Sequence, residues 1–385
     1  MLPRGVEDLA REELAGLGAR DLSPTGGGLA FHGDLEVAYR ACLWSRLASR
    51  ILLSLATVPA GSSSELYEGV RAIPWERHLG PEGTLAVDAH VRGGAGINAH
   101  FVELKTKDAV VDRLRDVRGT RPGVDLVRPS LRLHVLVARG QAKVSLDLSG
   151  EPLHRRGYRR DSGPAPLKEN VAAALLLRAG WPAIARGGGT LLDPMSGGGT
   201  LPIEAALIAG DVAPGALRDA YGFLGWLGHR ADLWRALRRE ADERRRAGAA
   251  RLGPPIHGSD ADPAAVRRAV VQVAAAGLAG RVAIERRDVG DCRPPDGSSA
   301  GLVATNAPYG ERLGDRDGLT AVYRRLGEAL KARFVGWNLA LLTADSQLAG
   351  EVRMRAFRRN ALWNGPLRCE LLQYRVGQAP AADSE

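Results

Sequence analysis

The sequence predicts an α/β protein: a doubly wound sheet in the C-terminal half, preceded by a smaller α+β region. Three observations carry this. From residue 167 onward, short apolar runs alternate with helix-spaced segments, and the runs end in polar or glycine-rich tips. Before residue 150, short strands and helices mix with no nucleotide loop among them. At 385 residues, 45% hydrophobic and 25% charged, the chain has room for two or three domains with ample core.

In the N-terminal region, residues 5–17 have helical spacing, with early acids Glu7 and Asp8 and an end near Gly18. Gly26 to Gly28 make a turn before a short strand, Leu29–His32. Asp34 is placed to cap a helix running to Trp44. Arg46–Val58 alternates as a strand, and Ser62–Ser64 can cap a helix through Arg71. Leu85–Val91 reads as a strand and His100–Arg115 as a basic amphipathic helix. Two further strands, Leu131–Ala138 and Ala142–Leu148, flank Arg139-Gly140, a hairpin turn signal. Residues 151–166 form the boundary segment, after which Lys168-Glu169-Asn170 opens a helix over Val171–Ala179.

The C-terminal half is organised around Thr190-Leu-Leu-Asp-Pro-Met-Ser-Gly-Gly-Gly-Thr200 and the apolar run that follows it. The order is strand, tight glycine loop, helix, with Pro202 in the first helical turn where its missing N–H costs little. A phosphate-binding loop needs Gly-Lys-Ser/Thr, but no Lys lies between Lys168 and Lys331. A dinucleotide loop needs G-x-G-x-x-G, which Gly197-Gly198-Gly199-Thr200 does not match. What remains is an acid at a strand end beside a glycine turn. That suits a ligand with a cationic or hydroxylated body, such as S-adenosylmethionine: Asp193 can face its amino group, with Gly197 and Gly199 clearing space for the ribose and methionine parts. The competing reading is a plain strand-to-helix turn whose glycines serve geometry alone.

Downstream, Asp211–Gly253 is a helical stretch rich in Arg and Trp, read as core tryptophans and a solvated arginine face. Ile256–Asp260 is a strand whose terminal Asp260 is placed for ribose hydroxyls, while Asp262 before Pro263 caps a helix. After strand Arg281–Arg286, Asp288 is the natural contact for an adenine amino group, with a surface-loop acid as the alternative. Strand 301–305 then runs into Asn306-Ala307-Pro308-Tyr309. An exocyclic amine on a base is a poor nucleophile, because its lone pair is delocalised into the ring. The Asn306 oxygen and a neighbouring backbone carbonyl can accept its protons, and Tyr309 can stack on the unpaired or flipped base. Pro308 restricts Ala307 to an extended conformation and so aims that carbonyl. A helix over 318–333, a strand at Leu339–Thr343, and strands Met354–Arg358 and Leu367–Val376 around an Asn364-Gly365 turn complete the half.

Asp-Pro-Met-Ser-Gly-Gly-Gly-Thr at 193–200 and Asn-Ala-Pro-Tyr-Gly-Glu-Arg-Leu at 306–313 resemble motifs I and IV of class I S-adenosylmethionine-dependent amino-methyltransferases. More narrowly, the chain resembles the THUMP-domain RNA methyltransferases, in particular the family that makes N2-methylguanosine in 23S ribosomal RNA. The likeness runs over nearly the whole chain, through Arg4–Leu9, Ala38–Arg46, Leu146–Gly150, Leu153–Arg159 and Pro166–Asn170. It implies a seven-stranded Rossmann-like methyltransferase sheet over 167–385, closed by a terminal antiparallel pair. Ahead of it come a ferredoxin-like piece over 1–50, a THUMP domain over 45–150 that grips structured RNA, and a linker over 151–166. S-Adenosylmethionine is the implied cofactor, held by Asp193, Met195, Gly197, Gly199, Thr200, Asp260 and Asp288. Asn306, Ala307, Pro308 and Tyr309 are the implied catalytic tip. Rival substrates that keep the chemistry are transfer-RNA guanine N2 and adenine N6; a rival of another class is an RNA-binding assembly factor that has lost catalysis.

Three departures from the family pattern stand out. Ala307 replaces the first proline of the usual Asn-Pro-Pro-Tyr, which keeps the backbone carbonyl but predicts a looser loop. Ser196 and Gly198 stand where a cysteine and a serine are usual. The chain reaches Pro3-Arg-Gly almost at once, so the family's first strand is expected to be absent or very short.

Net charge is +9 and pI about 9.9, which suits a polyanionic partner such as ribosomal RNA. Of 53 basic residues only five are Lys, a bias that genome composition also produces. Candidate RNA contacts are Lys105 and Lys107 in the densest basic patch, with Arg113, Arg115 and Arg118 alongside. The boundary segment adds Arg155, Arg156 and Arg159, interleaved with His154 and Tyr158. Cys42, Cys292 and Cys369 are scattered, which argues against a metal site or a disulfide framework and fits the cytoplasm. The apolar run Ile51–Ala60 is too short to span a membrane, and the charged N-terminus has no signal-peptide core.

Overall fold

The computed structural model describes residues 1–93, 98–161, 163, 166–251, 256–309 and 316–377. The first segment folds as α1 (Glu7–Gly16), β1 (Arg20–Thr25), β2 (Gly28–His32) and α2 (Leu35–Trp44), with β1 and β2 forming an antiparallel ribbon. Asp34 caps α2 as the sequence predicts, accepting the Val37 N–H at 2.9 Å. Strand β1 is an addition: nearly all its residues are exposed, so it carries no apolar alternation to read.

A five-stranded sheet follows, built from β3 (Leu52–Pro59), β4 (Thr84–Arg92), β5 (Gly123–Val124), β6 (Leu131–Ala138) and β7 (Gln141–Asp147) in the order β3-β7-β6-β4-β5. Helices α3 (Ser63–Arg71) and α4 (Ala99–Arg118) pack together, α4 against β4 and α3 against β3. Ser62 and Glu65 close a reciprocal capping box on α3, and Gly119 ends α4 in the left-handed region. The hairpin turn between β6 and β7 has both Arg139 and Gly140 at positive φ, the twist-compatible form. The strand expected from Arg46 begins only at Leu52. Ser45 turns the chain there, its hydroxyl accepting the Ala48 N–H at 2.9 Å.

The C-terminal half comprises α5 (Glu169–Arg178), α6 (Trp181–Arg186), β8 (Thr190–Asp193), α7 (Thr200–Ala209), α8 (Ala231–Arg251), β9 (Ile256–Asp260), α9 (Pro263–Ala275), β10 (Val282–Arg286), β11 (Gly301–Asn306), α10 (Arg316–Arg333), β12 (Asn338–Thr343), α11 (Ser346–Gly350), β13 (Arg358–Asn364) and β14 (Leu367–Arg375). Its seven strands run β10-β9-β8-β11-β12-β14-β13, all parallel through β12, with β14 antiparallel to β12 and hairpinned to β13. The chain winds outward through β8, β9 and β10, then returns to lay β11 beside β8. That reversal opens a crevice at the carboxyl ends of β8 and β11. Strand β13 lies at 358–364 rather than 354–358, because the hairpin is tight and pairing runs up to the turn, with Asn364 opposite Leu367.

One core covers each face of the large sheet. A third fills the N-terminal region and draws in Ala213, Tyr221, Phe223, Leu237 and Ala241 from the stretch after α7. Tyr39 of α2 lies against Phe223 with ring centroids 4.4 Å apart, and Arg40 forks onto Glu240 of α8 at 2.8 and 2.7 Å. Much of the stretch after α7, from Ala213 to Ala241, therefore packs into the N-terminal core, while Val212 and Leu217 stay with the sheet. Of its tryptophans, Trp226 and Trp234 pack there as expected.

Candidate active site

The β8–α7 loop takes its shape from its glycines. Gly197 (φ 53°) and Gly199 (φ 79°) both occupy the left-handed region. A side chain at Gly197 would meet nothing within 4 Å, so that position is open. Gly199 differs: a Cβ there would lie 3.1 Å from the Ala269 methyl of α9, so this glycine permits helix packing and does not line the cleft. Asp193, at the end of β8, is buried. Its Oδ1 accepts the Met195 N–H at 3.1 Å, yet burial pushes the carboxyl up to about 7, with Asp260 adding a like charge. Asp260 ties the loop down: Oδ2 accepts the Gly197 N–H and Oδ1 the Asp262 N–H, both at 2.9 Å. Each oxygen keeps a further lone pair.

Beside β8 in the sheet, β11 delivers the Asn306 tip. The Asn306 Oδ1 is buried and has no hydrogen-bond partner among the described residues. Ala307 is fully buried and anchored by its own N–H, which donates to the Leu342 carbonyl at 3.2 Å. The Pro308 carbonyl accepts the Tyr323 hydroxyl at 3.0 Å, which fixes the tip from α10. Tyr309 is half-buried against the β13–β14 hairpin near Cys369 and Asn364, and burial pushes its phenol up to about 12. Gly310 to Leu313, the rest of the motif, lie outside the described residues.

The loop and the tip line one cleft of about 450 Å³. Asp193, Met195, Gly197, Thr200, Asp260, Asp288, Asn306, Ala307, Pro308 and Tyr309 all line it. Asp288 accepts the Gly290 N–H at 2.8 Å and pairs with Arg325. The donor set fits S-adenosylmethionine. Asp193 is a poorly solvated carboxyl that a cation would stabilise, Gly197 leaves open space, and Asp260 and Asp288 present oxygens for hydroxyl and amino protons. Among the described residues no group of three or more His, Cys, Asp or Glu side chains is placed to hold a metal, and no helix is long and apolar enough to cross a membrane.

The basic candidates divide sharply. Arg156 is buried. It donates to Glu204, to the Leu153 carbonyl at 2.9 Å and to the Arg46 carbonyl at 2.6 Å, with Tyr158 on the same carboxylate. It is a structural cation, out of reach of RNA, contrary to the expectation from sequence. Arg159 donates to Glu169, the Leu167 carbonyl and the Thr200 hydroxyl, so it braces the cleft wall beside α7. The patch on α4 is also largely engaged: Arg113 forks onto Glu76, Arg115 pairs with Asp112, and Arg118 donates to backbone carbonyls. Lys105 lies 5.9 Å over the Tyr67 ring, Lys107 reaches Asp108 at 3.3 Å, and Arg155 is exposed beside Glu151. Sequence reasoning missed Tyr323 and Arg268. Tyr323 fixes the Pro308 carbonyl from α10, and Arg268 lines the cleft from α9. Neither carries a local motif.

Comparison with known proteins gives three domain matches: RMKL-like, methyltransferase domain over residues 156–373; RlmL ferredoxin-like domain over 1–52; and THUMP domain over 61–147. A relative named ribosomal RNA large subunit methyltransferase K/L, from Methylococcus capsulatus, is 51% identical over 97% of this chain and 50% of its own length. The chain thus spans about half the length of the curated relatives it matches. Among solved structures, SMU.472 complexed with SAH superposes with a TM-score of 0.86 at 29% identity, over 98% of this chain and 97% of that one. A Listeria monocytogenes protein described as a predicted N6-adenine-specific DNA methylase gives 0.84 at 29% identity, over 97% and 94%. A cleft at the reversal of a seven-stranded sheet, and a family model that covers more than half the chain, lead to one assignment: the chain belongs to the RMKL-like methyltransferases, with RlmL ferredoxin-like and THUMP domains ahead of the catalytic one.

Proposed function

We propose that this chain methylates the exocyclic N2 amine of a guanosine in 23S ribosomal RNA, using S-adenosylmethionine. The observation that carries the proposal is the buried, unpartnered Asn306 oxygen, set beside the Ala307 carbonyl in the cleft that also holds the Asp193–Thr200 loop. When bound, S-adenosylmethionine supplies an electrophilic methyl on a sulfonium. Asp193 would face its amino group, Asp260 the ribose hydroxyls and Asp288 the adenine amine, with Met195, Gly197 and Thr200 against its body.

The protein's own part in catalysis is positioning. Asn306 Oδ1 and the Ala307 carbonyl would accept hydrogen bonds from the two N–H groups of the amine, which turns its lone pair out of the ring and toward the methyl; the proton that the methylated nitrogen sheds passes to solvent. Pro308 and the Tyr323 hydroxyl hold the tip in place, and Tyr309 offers its ring to the flipped base. Both acceptors survive the Ala307 replacement, so the feature that motivates a catalytically lapsed reading leaves the site whole. The name of the K/L relatives supports ribosomal RNA, and the THUMP match supports an RNA partner. Lys105, Lys107 and Arg155 are proposed to meet that RNA.

Adenine N6 is the second reading, favoured by the description of the Listeria neighbour. The test is nucleoside mass spectrometry of ribosomal and transfer RNA from cells with and without the gene. Loss of N2-methylguanosine from 23S RNA is the expected result; loss of N6-methyladenosine, or of a transfer-RNA nucleoside, would replace it. In vitro, Asn306→Ala should lower turnover at least a hundredfold while S-adenosylhomocysteine affinity stays within about twofold; unchanged turnover refutes the role of the tip.

A further inference from the structure

A second cavity, of about 420 Å³, lies where the N-terminal stretch meets the start of α5 and the β13–β14 turn. Arg4, Ser49, Lys168, Asn170, Trp363 and Pro366 line it, and no carboxylate does among the described residues. Arg4 and Lys168 have no acidic partner there, unlike Arg113 and Arg115 of α4 or Arg244 and Arg245 of α8. Asn170 is fully buried. Its Nδ2 donates to the Leu47 carbonyl at 3.3 Å and to the Ser49 hydroxyl at 3.2 Å, which fixes the amide's orientation. Its Oδ1 is left without a donor among the described residues. A buried acceptor in that state is costly unless a ligand N–H completes it.

The walls are built before any ligand arrives. A Cβ on Gly5 would sit 2.2 Å from the Ala361 carbonyl oxygen, so the N-terminal stretch is clamped onto β13. The Ser49 N–H donates to Met1 at 2.9 Å, and the Lys168 N–H to the Asn364 side chain at 3.1 Å. Two cations, one half-buried indole and one vacant amide oxygen match an anion joined to a flat ring that carries an N–H. That is a nucleotide. The cavity also adjoins the cleft: Pro166 and Leu167 line the cleft, Lys168 lines the cavity, and Asn364 abuts Tyr309.

We infer that this cavity seats an RNA nucleotide flanking the one presented to Asn306, with its phosphate at Arg4 and Lys168, its base on Trp363, and a base N–H on Asn170 Oδ1. The inference rests on the proposed RNA methylation. Its test uses the full chain, binding a single-stranded RNA oligonucleotide of about ten residues that carries 5-bromouridine beside the target guanosine. Photocrosslinking should mark Trp363. Trp363→Ala should weaken binding about tenfold, and Lys168→Gln and Arg4→Gln should each lower the log–log salt slope by about 0.7. S-Adenosylhomocysteine affinity, unchanged in all three, reports an intact fold. Unchanged RNA affinity and salt slope in variants that still bind S-adenosylhomocysteine would overturn the inference. So would GMP that binds the wild type and not the variants while RNA affinity is unaffected, since the cavity would then serve a free nucleotide. If wild-type protein crosslinks at Trp363 but methylates no guanosine, the cavity stands and the guanine-N2 reading falls.

Discussion

Asp193→Asn separates the two consequences of burying one carboxyl at the end of β8. Burial holds that carboxyl at about 7, against an ordinary value of 3.8. At pH 6 about one free molecule in eleven then carries the anion, and at pH 8 about ten in eleven. A ligand whose cationic amine requires the anion therefore binds about tenfold more weakly at pH 6 than at pH 8. The Asn variant should bind weakly and show no such dependence. Calorimetry with S-adenosylhomocysteine, in two buffers of different ionisation heat, reads both the affinity and the proton released. Stability moves the other way. Because the folded value lies above the unfolded one, the group's contribution is full below 3.8 and is lost as pH climbs through about 7. Three units at about 1.4 kcal/mol each make that loss roughly 4 kcal/mol. Urea unfolding should find Asp193→Asn more stable than wild type at pH 8 and nearly equal to it near pH 4. Wild-type affinity that is flat between pH 6 and 8, or a variant less stable than wild type at pH 8, would refute the account.

Arg156→Ala should destabilise the protein by about 3–5 kcal/mol in urea unfolding, because Glu204 is left buried without its cation. Gly199→Ala should cost at least about 1–2 kcal/mol, since it places a Cβ at positive φ and 3.1 Å from the Ala269 methyl. Tyr323→Phe releases the Pro308 carbonyl and should lower kcat about tenfold, with S-adenosylhomocysteine affinity unchanged in calorimetry.

The strands that carry the site were legible because each is an apolar run ending in a residue with special backbone or side-chain chemistry. Thr190–Asp193 before three glycines and Gly301–Asn306 before Ala-Pro-Tyr leave little choice of element or of end. Strands at the margins were not. Arg20–Thr25 is exposed on almost every residue, and Arg358–Asn364 mixes charge with apolar groups, so neither shows a clean period of two. Charge was the larger blind spot. A run such as Arg155-Arg156-Gly-Tyr-Arg159 displays cations but not their partners. The partners here, Glu204 and the Arg46 carbonyl for Arg156, stand 48 and 110 residues away. The Arg4–Lys168–Trp363 cavity was hidden for the same reason, since its wall comes from four separate stretches of chain.

The stretch between α7 and β9 leaves the methyltransferase sheet, lends its aromatic residues to the N-terminal core, and then returns. Arg40 on Glu240, and Arg244 at 3.7 Å over the Trp44 ring, rivet that excursion in place. The two halves are thus cross-threaded, and neither can swing without tearing the other's interior. Such a molecule works as a fixed caliper: the span from its front end to the Asn306 tip is set by the protein, and the RNA proposed above as its substrate must bring a structure of matching reach.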